Sequence, residues 1–280
     1  MKLAEALVAA RRRLEDAGIE DAALEAEVLL RHALGLDRAH LFARIDDVID
    51  EGALDAFQRF VERRLAHEPA AYIVGHREFF GLDFETTPDA LIPRPETELL
   101  VDEALRLAPD GPFAITDVGT GCGAIAVALA THLPQAVVYA IDDSPSALAL
   151  AARNVARFNL SDRVRLLPGD LLDPLPEPVD LIVANLPYVK TADWEALPPE
   201  IRDHEPRAAL DAGPLDTEVL ERFLRAAPSH LRPAGRLLAE IAWDEGERLL
   251  EVARACFPTA RVDVKKDLAG LDRVIRIEAP

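Results

Sequence analysis

The chain has 280 residues, half of them hydrophobic, and 50 acidic side chains against 31 basic ones give a formal net charge of -19. That length suffices for one large and one small domain, and that charge argues against a general DNA or RNA binder, because phosphate is repelled unless basic residues are sorted onto one face. Only Cys122 and Cys256 are present, which excludes a disulfide framework and a four-cysteine zinc site; none of the 7 histidines falls in metal-ligand spacing. No apolar run is long and uncharged enough to span a bilayer, and the start, Met1-Lys-Leu-Ala-Glu, soon acquires acids, so the expectation is a cytoplasmic protein without membrane or metal.

Between residues 3 and 67 apolar and charged positions recur at helical spacing, as in Leu3, Leu7 and Ala10 or Leu30 and Leu34, with Gly18, Gly35 and Gly52 as punctuation. This predicts a small helical bundle over residues 1–71, a module suited to recognising a macromolecular substrate. From Tyr72 to Arg94 the pattern shortens to Glu78–Phe84 and Ala90–Ile92, which suggests a hairpin linker over residues 72–94. Beyond it, over residues 95–280, strands and helices alternate: 113–117, 124–132, 137–142, 145–158, 163–167, 180–185, 217–231, 235–242 and 244–257. Such alternation requires a mainly parallel sheet with helices on both faces, an α/β domain.

The first strand of that domain, Phe113 to Asp117, runs into Gly119, Gly121 and Gly123, spaced G-x-G-x-G before a helix. Glycines there let a backbone approach a nucleotide-like ligand where a Cβ would collide. The spacing is not that of a dinucleotide fingerprint, and Asp117 would repel a pyrophosphate, so a cationic amino-acid ligand fits better. Cys122, inside the turn, reads as a small buried filler rather than a nucleophile. The next strand ends on Asp142, placed to accept both hydroxyls of a ribose or, more simply, to charge a helix N-terminus; Ser144 and Pro145 then supply a helix N-cap and first-turn proline.

A third feature follows the strand Asp180–Ala184. Asn185-Leu186-Pro187-Tyr188 brings a side-chain carbonyl, a backbone carbonyl and an aromatic face to one place, which suits a planar NH2 group whose two N–H bonds need acceptors. Glycine turn, ribose acid and Asn-x-Pro-Tyr turn together describe a methyltransferase using S-adenosylmethionine, each feature lying at the carboxyl end of a strand, where doubly wound sheets bind ligands. At the end of the chain, Arg261–Val264 and Arg273–Ile277 read as strands separated by too few residues for a crossover helix, so they must pair antiparallel. A terminal antiparallel hairpin is expected of the Class I methyltransferase sheet.

Over nearly its whole length the chain resembles the release factor glutamine methyltransferases known as HemK or PrmC. The likeness is carried by Pro69–Phe84, by the hallmark loop Leu91-Ile-Pro-Arg-Pro-Glu-Thr-Glu98, and by Asp117–Gly123, Glu205–Leu210, Leu231–Leu237 and Asp267–Arg273. It implies a Class I, Rossmann-like, mainly parallel seven-stranded sheet with a terminal antiparallel hairpin beside the helical bundle. The implied activity is methylation of the side-chain amide nitrogen of the Gln in the Gly-Gly-Gln loop of class I peptide chain release factors, yielding S-adenosylhomocysteine, by a monomer whose helical domain grips the factor.

By that resemblance Asp117, Gly119, Thr120, Gly121, Cys122 and Gly123 surround the methionine part of the cofactor, Asp142 its ribose, and Asp170 and Leu171 the adenine edge. Asn185 serves both ligands and accepts one amide hydrogen, the Leu186 carbonyl accepts the other, Pro187 fixes the turn and Tyr188 stacks on the amide. Arg94, Glu96 and Glu98 are candidates for the substrate channel, or the acids for dipole complements, and Glu205 with Arg207 for an internal ion pair. Three departures stand out: Leu186 where the family has Pro, Ala242 where it tends to have Gly, and Ala234. Asn-Leu-Pro-Tyr also looks like the turn of ribosomal RNA adenine dimethyltransferases, the alternative that the net charge and the Leu91–Glu98 loop oppose.

Overall fold

In the computed structural model, which describes residues 1–215 and 217–280, the chain forms two compact units. One comprises Met1–His76 and Pro198–His204, the other Arg77–Leu197 and Glu205–Pro280.

The first unit is helical: α1 (Leu3–Asp16), α2 (Ala22–Leu34), α3 (Arg38–Ala43), α4 (Glu51–Leu65), α5 (Ala70–Val74) and, from the later segment, α9 (Pro199–Arg202). Leu3, Leu14, Leu29, Leu30, Phe57 and Val61 form its core, one apolar stripe from each long helix. Asp37 and Asp50 cap α3 and α4 by accepting the backbone N–H of His40 and Ala53, and Gly35 closes α2 in the left-handed region at φ +62°. Gly52 is not punctuation; it lies in the first turn of α4, behind the Asp50 cap. Arg64, nearly buried, is neutralised by Glu25 and Glu200.

The second unit begins with the hairpin β1 (His76–Phe79) and β2 (Leu82–Glu85); His76, at the head of β1, belongs to the first. Of the two alternating segments expected over 72–94, Glu78–Phe84 falls in this hairpin and Ala90–Ile92 forms no strand, while the start of that region, Tyr72–Val74, is the end of α5. Prolines at 88, 93 and 95 deny that stretch the N–H donors a ladder needs.

Seven strands make the main sheet: β3 (Phe113–Val118), β4 (Ala136–Asp142), β5 (Val164–Pro168), β6 (Val179–Ala184), β7 (Leu231–Glu240), β8 (Arg261–Lys266) and β9 (Asp272–Glu278). Their order is β5-β4-β3-β6-β7-β9-β8. The pairs from β5 to β7 are parallel, whereas β9 runs antiparallel to both β7 and β8.

Because successive side chains in a strand alternate faces, β6 sends Leu181 and Val183 into a core with α6 (Glu98–Leu107), α7 (Ala124–His132) and α8 (Pro145–Arg157). Its Ile182 and Ala184 enter the opposite core with α10 (Glu218–Ala226) and α11 (Gly246–Cys256). Burial on both faces explains why β3 and β6 read as nearly unbroken apolar runs. The chain builds outward from β3 through β4 to β5 and then returns to place β6 on the other side of β3. The carboxyl ends of these central strands flank the reversal of strand order at which such sheets bind ligands. Among the described residues no helix is long and apolar enough to cross a membrane.

Candidate functional site

A cavity of about 240 Å³ opens at the carboxyl ends of β3 to β6. Gly119 and Gly121 after β3, Asp142 to Ser144 after β4, Gly169 to Leu171 after β5 and Asn185 to Pro187 after β6 form its walls. Ala90 and Leu91 of the hallmark loop and Pro206, Ala208 and Ala209 complete it.

The glycine turn takes its shape from backbone hydrogen bonds: the N–H groups of Gly119 and Thr120 both donate to the Ile141 carbonyl at 2.9 Å, and Gly123 donates to Thr120 at 2.8 Å. At Gly119, φ is +73° and a Cβ would lie 3.0 Å from Leu186 Cδ2 and 3.2 Å from the Asn185 carbonyl, so only glycine fits. Gly121 faces the cavity and donates to Asp142 Oδ2 at 2.8 Å; the other Asp142 oxygen accepts from Ser144 N–H at 3.0 Å. Thr120, Cys122 and Gly123 lie outside the cavity wall; Gly123 starts α7, where a Cβ would press on Ala151. Burial pushes the Cys122 thiol up to about 12, which agrees with a filler and not with a nucleophile.

Asp117 sits beneath the turn, fully buried. Its Oδ2 accepts from the Thr120 hydroxyl at 2.6 Å and from Ala126 N–H at 3.1 Å, which ties strand to helix, and Oδ1 has no hydrogen-bond partner among the described residues. Burial outweighs those two bonds and raises the carboxyl to about 7. A second buried clamp went unrecognised in the sequence: Asn154 Nδ2 donates to the Cys122 carbonyl at 2.9 Å and to the Glu85 carbonyl at 3.1 Å, while its Oδ1 accepts from Glu85 N–H at 2.8 Å. Asn154 lies on the helix nearly three turns past Ser144, where a polar residue reads as surface.

Beside Gly119, Asn185 Nδ2 donates to Thr97 Oγ1 at 3.1 Å. Leu186 is 4% exposed and packs on the face of Gly119. Tyr188 is half-buried; burial first and the nearby Glu240 carboxylate second push its phenol up to about 12, so it stays neutral. Asp170 pairs with Arg222, and Leu171 adopts φ +47°.

The acids and bases beside the site divide differently from the sequence expectation. Glu98 accepts the Phe80 N–H at 2.9 Å and so holds the β1–β2 hairpin. Glu205 and Arg207 do not pair: Glu205, 6% exposed, binds Arg94 and the Ile92 N–H, whereas Arg207 binds Asp211 at 2.8 Å and lies over the Trp194 ring at 4.9 Å. At the start of a short helical turn, two residues are too close in sequence to face each other.

A seven-stranded sheet in which β9, one strand in from the edge, is reversed, a glycine turn after the first strand, an acid ending the second and an Asn-x-Pro-Tyr turn after the fourth define a Class I methyltransferase. Likeness to a methyltransferase from Pyrococcus furiosus, with TM-score 0.53 and 19% identity over 71% of this chain and 90% of that one, reflects the shared fold. Residues 5–75 match the model of the PrmC N-terminal domain and residues 96–197 that of the methyltransferase small domain. The release factor glutamine methyltransferase of Moorella thermoacetica is 45% identical over 275 residues, 98% of this chain and 97% of that protein. The one from Geobacter sulfurreducens is 45% identical over 271 residues, covering 95% and 92%. The chain belongs to the family of release factor glutamine methyltransferases.

Proposed function

We propose that this enzyme transfers a methyl group from S-adenosylmethionine to the side-chain amide nitrogen of the glutamine in the Gly-Gly-Gln loop of class I release factors. The observation that carries the reading is the placement of Asn185 on the wall of the same cavity as Gly119, Gly121 and Asp142.

The residues fit the cofactor. Gly119 leaves the space a Cβ would fill, a buried Asp117 oxygen lacks a partner beneath the turn, and the Asp142 oxygens, each engaged by one N–H, retain a second lone pair for ribose hydroxyls. Asp170 and Leu171 would border the adenine. S-adenosylmethionine supplies an electrophilic sulfonium methyl group.

For the acceptor, Asn185 Oδ1 and the Leu186 carbonyl take the two amide hydrogens, and Tyr188 covers the amide plane. An amide nitrogen is a weak nucleophile because its lone pair is delocalised; fixing both N–H bonds in a dry pocket aims what remains of that pair at the methyl carbon. A C–N bond forms as the methyl leaves sulfur, and the nitrogen sheds one of its two protons to solvent. Residues 1–71 would hold the release factor, residues 72–94 connect, and residues 95–280 carry the chemistry.

Incubation of the protein with methyl-labelled S-adenosylmethionine should label a class I release factor, and replacing the loop glutamine of that factor should abolish the label. Label appearing on bare ribosomal RNA, with none on the factor, would overturn this reading.

A further inference from the structure

The back of Asn185 is held by side chains that take no part in the proposed methyl transfer. Asn185 Nδ2 donates to Thr97 Oγ1 at 3.1 Å. Thr97 is 4% exposed, and its hydroxyl faces the carboxylate of Glu240, favouring the ionised form. Glu240 is 1% exposed, with Oε2 lacking a hydrogen-bond partner.

A threonine hydroxyl has one proton, and an ionised carboxylate can only accept. Glu240 therefore draws the Thr97 proton toward itself, which leaves an Oγ1 lone pair for the NH2 of Asn185. The two ends of an asparagine amide have nearly the same shape, and the hydrogen-bond network alone decides which faces where. With its NH2 committed to Thr97, Asn185 must turn Oδ1 the other way. Reversed, it would confront the donors of a glutamine NH2 with donors of its own.

We propose that Thr97 and Glu240 are positioning residues that lock the Asn185 amide with its oxygen toward the substrate amide. The proposal rests on the role given to Asn185 above.

The lock has a pH dependence. Arg273 and Arg94 favour the ionised carboxylate, Glu96 opposes it, Tyr188 is neutral, and Glu245 in the next turn is engaged by the Ala242 N–H at 2.9 Å. Burial outweighs the favourable neighbours and raises the Glu240 carboxyl to about 7. Below that pH a protonated Glu240 can donate to Thr97 Oγ1, which frees the Thr97 proton to be offered to Asn185 Oδ1, and the preference for the Asn185 NH2 is weakened. Turnover should therefore fall as pH drops through about 7.

The test compares full-length wild type with Thr97→Val, Thr97→Ser, Glu240→Gln, Asn185→Ala and the Asn185→Ala/Thr97→Val double variant, by steady-state kinetics on a release factor and by calorimetric binding of S-adenosylmethionine. Thr97→Val should lower kcat by about ten- to a hundredfold with cofactor affinity within about threefold, and Thr97→Ser should restore most of it. In Glu240→Gln the acid limb of kcat near pH 7 should flatten. Valine at 97 should cost under about twofold more once Asn185 is alanine, because residues acting through one group are not additive.

Wild-type kcat in Thr97→Val, a serine variant as impaired as the valine one, or an unchanged acid limb in Glu240→Gln would each overturn the lock. If Thr97→Val does not fold, the serine variant and the Glu240→Gln profile decide. Full turnover in Asn185→Ala defeats the parent reading; its loss there beside full turnover in Thr97→Val defeats only the lock.

Discussion

At the glycine-turn end of the cavity the ligand-facing surface is largely main chain, and both oxygens of Asp142 are already held by N–H groups of Gly121 and Ser144. At the Asn185 end it depends on a side-chain amide whose orientation runs through Thr97 to a buried acid. Each end conceals one fully buried carboxyl raised to about 7, Asp117 below the turn and Glu240 behind the amide. Backbone geometry needs no protonation state to be correct, whereas a donor chain does. The comparison teaches that the end proposed for the cofactor should fail through shape and the end proposed for the acceptor through proton placement.

The largest effect should come from Asn185→Ala, which removes the amide acceptor proposed at the reacting end and leaves the glycine turn untouched. Turnover is expected to fall by about two orders of magnitude or more while S-adenosylmethionine affinity stays within about threefold. An equal loss in binding and turnover, measured by calorimetry and single-turnover kinetics, would erase the contrast between the ends.

Next in size, Gly119→Ala attacks the other end by shape. Its Cβ would meet Leu186 Cδ2 at 3.0 Å and its φ of +73° is unfavourable for alanine. Strain of about 1–3 kcal/mol predicts a roughly ten- to hundredfold weaker cofactor complex. Unaltered affinity would show that the turn relaxes and that the cofactor end is not set by shape.

The contrast also tells which parts of the molecule could be read from sequence. Strands β3, β4 and β6 were legible because each is a short apolar run ended by a turn-forming or acidic residue, and the β8–β9 pairing because the connection is short. The cavity-facing residues Gly119, Gly121, Asp142 and Asn185 sit at those strand ends, so a strand map finds them, whereas Asp170 and Leu171, after β5, came only from the family resemblance. Thr97 and Glu240 escaped, since 88 positions separate Thr97 from Asn185 and only tertiary folding joins them. The neighbouring charges Arg94, Glu96 and Glu98 drew attention because they are charged. Yet Thr97, uncharged and buried, is the residue of that loop that binds Asn185. Periodicity locates an element; it does not say which buried hydroxyl meets which amide.

Asp117→Asn probes the acid at the cofactor end. The carboxyl is raised from an ordinary 3.8 to about 7, so the stability it contributes is full below 3.8 and lost as pH rises through about 7. Asparagine keeps an acceptor for Thr120 and Ala126 and drops the charge. Its advantage in Tm for the ligand-free protein should therefore grow between about pH 4 and pH 7 and then level off, reaching a few degrees. Affinity for the cationic cofactor should fall by about tenfold, the loss of one buried opposite charge. A Tm difference independent of pH would mean that Asp117 does not titrate in this range and that proton placement is confined to the Glu240 end.

The smallest change in turnover is expected where this chain departs from its family, at Leu186. Its backbone carbonyl is the second amide acceptor proposed, but its side chain is 4% exposed and lies against Gly119, so one residue spans the two ends. Leu186→Pro keeps the carbonyl and removes the packing. The protein should lose about 1–2 kcal/mol of stability, seen as a lower Tm, while kcat of the folded fraction stays within about threefold. A tenfold or larger drop in kcat at unchanged cofactor affinity would show that the leucine side chain sets the placement of the carbonyl and that the acceptor end borrows its shape from the glycine turn. The two ends would then be one mechanical unit, and Gly119→Ala should reduce turnover at saturating cofactor as well as binding.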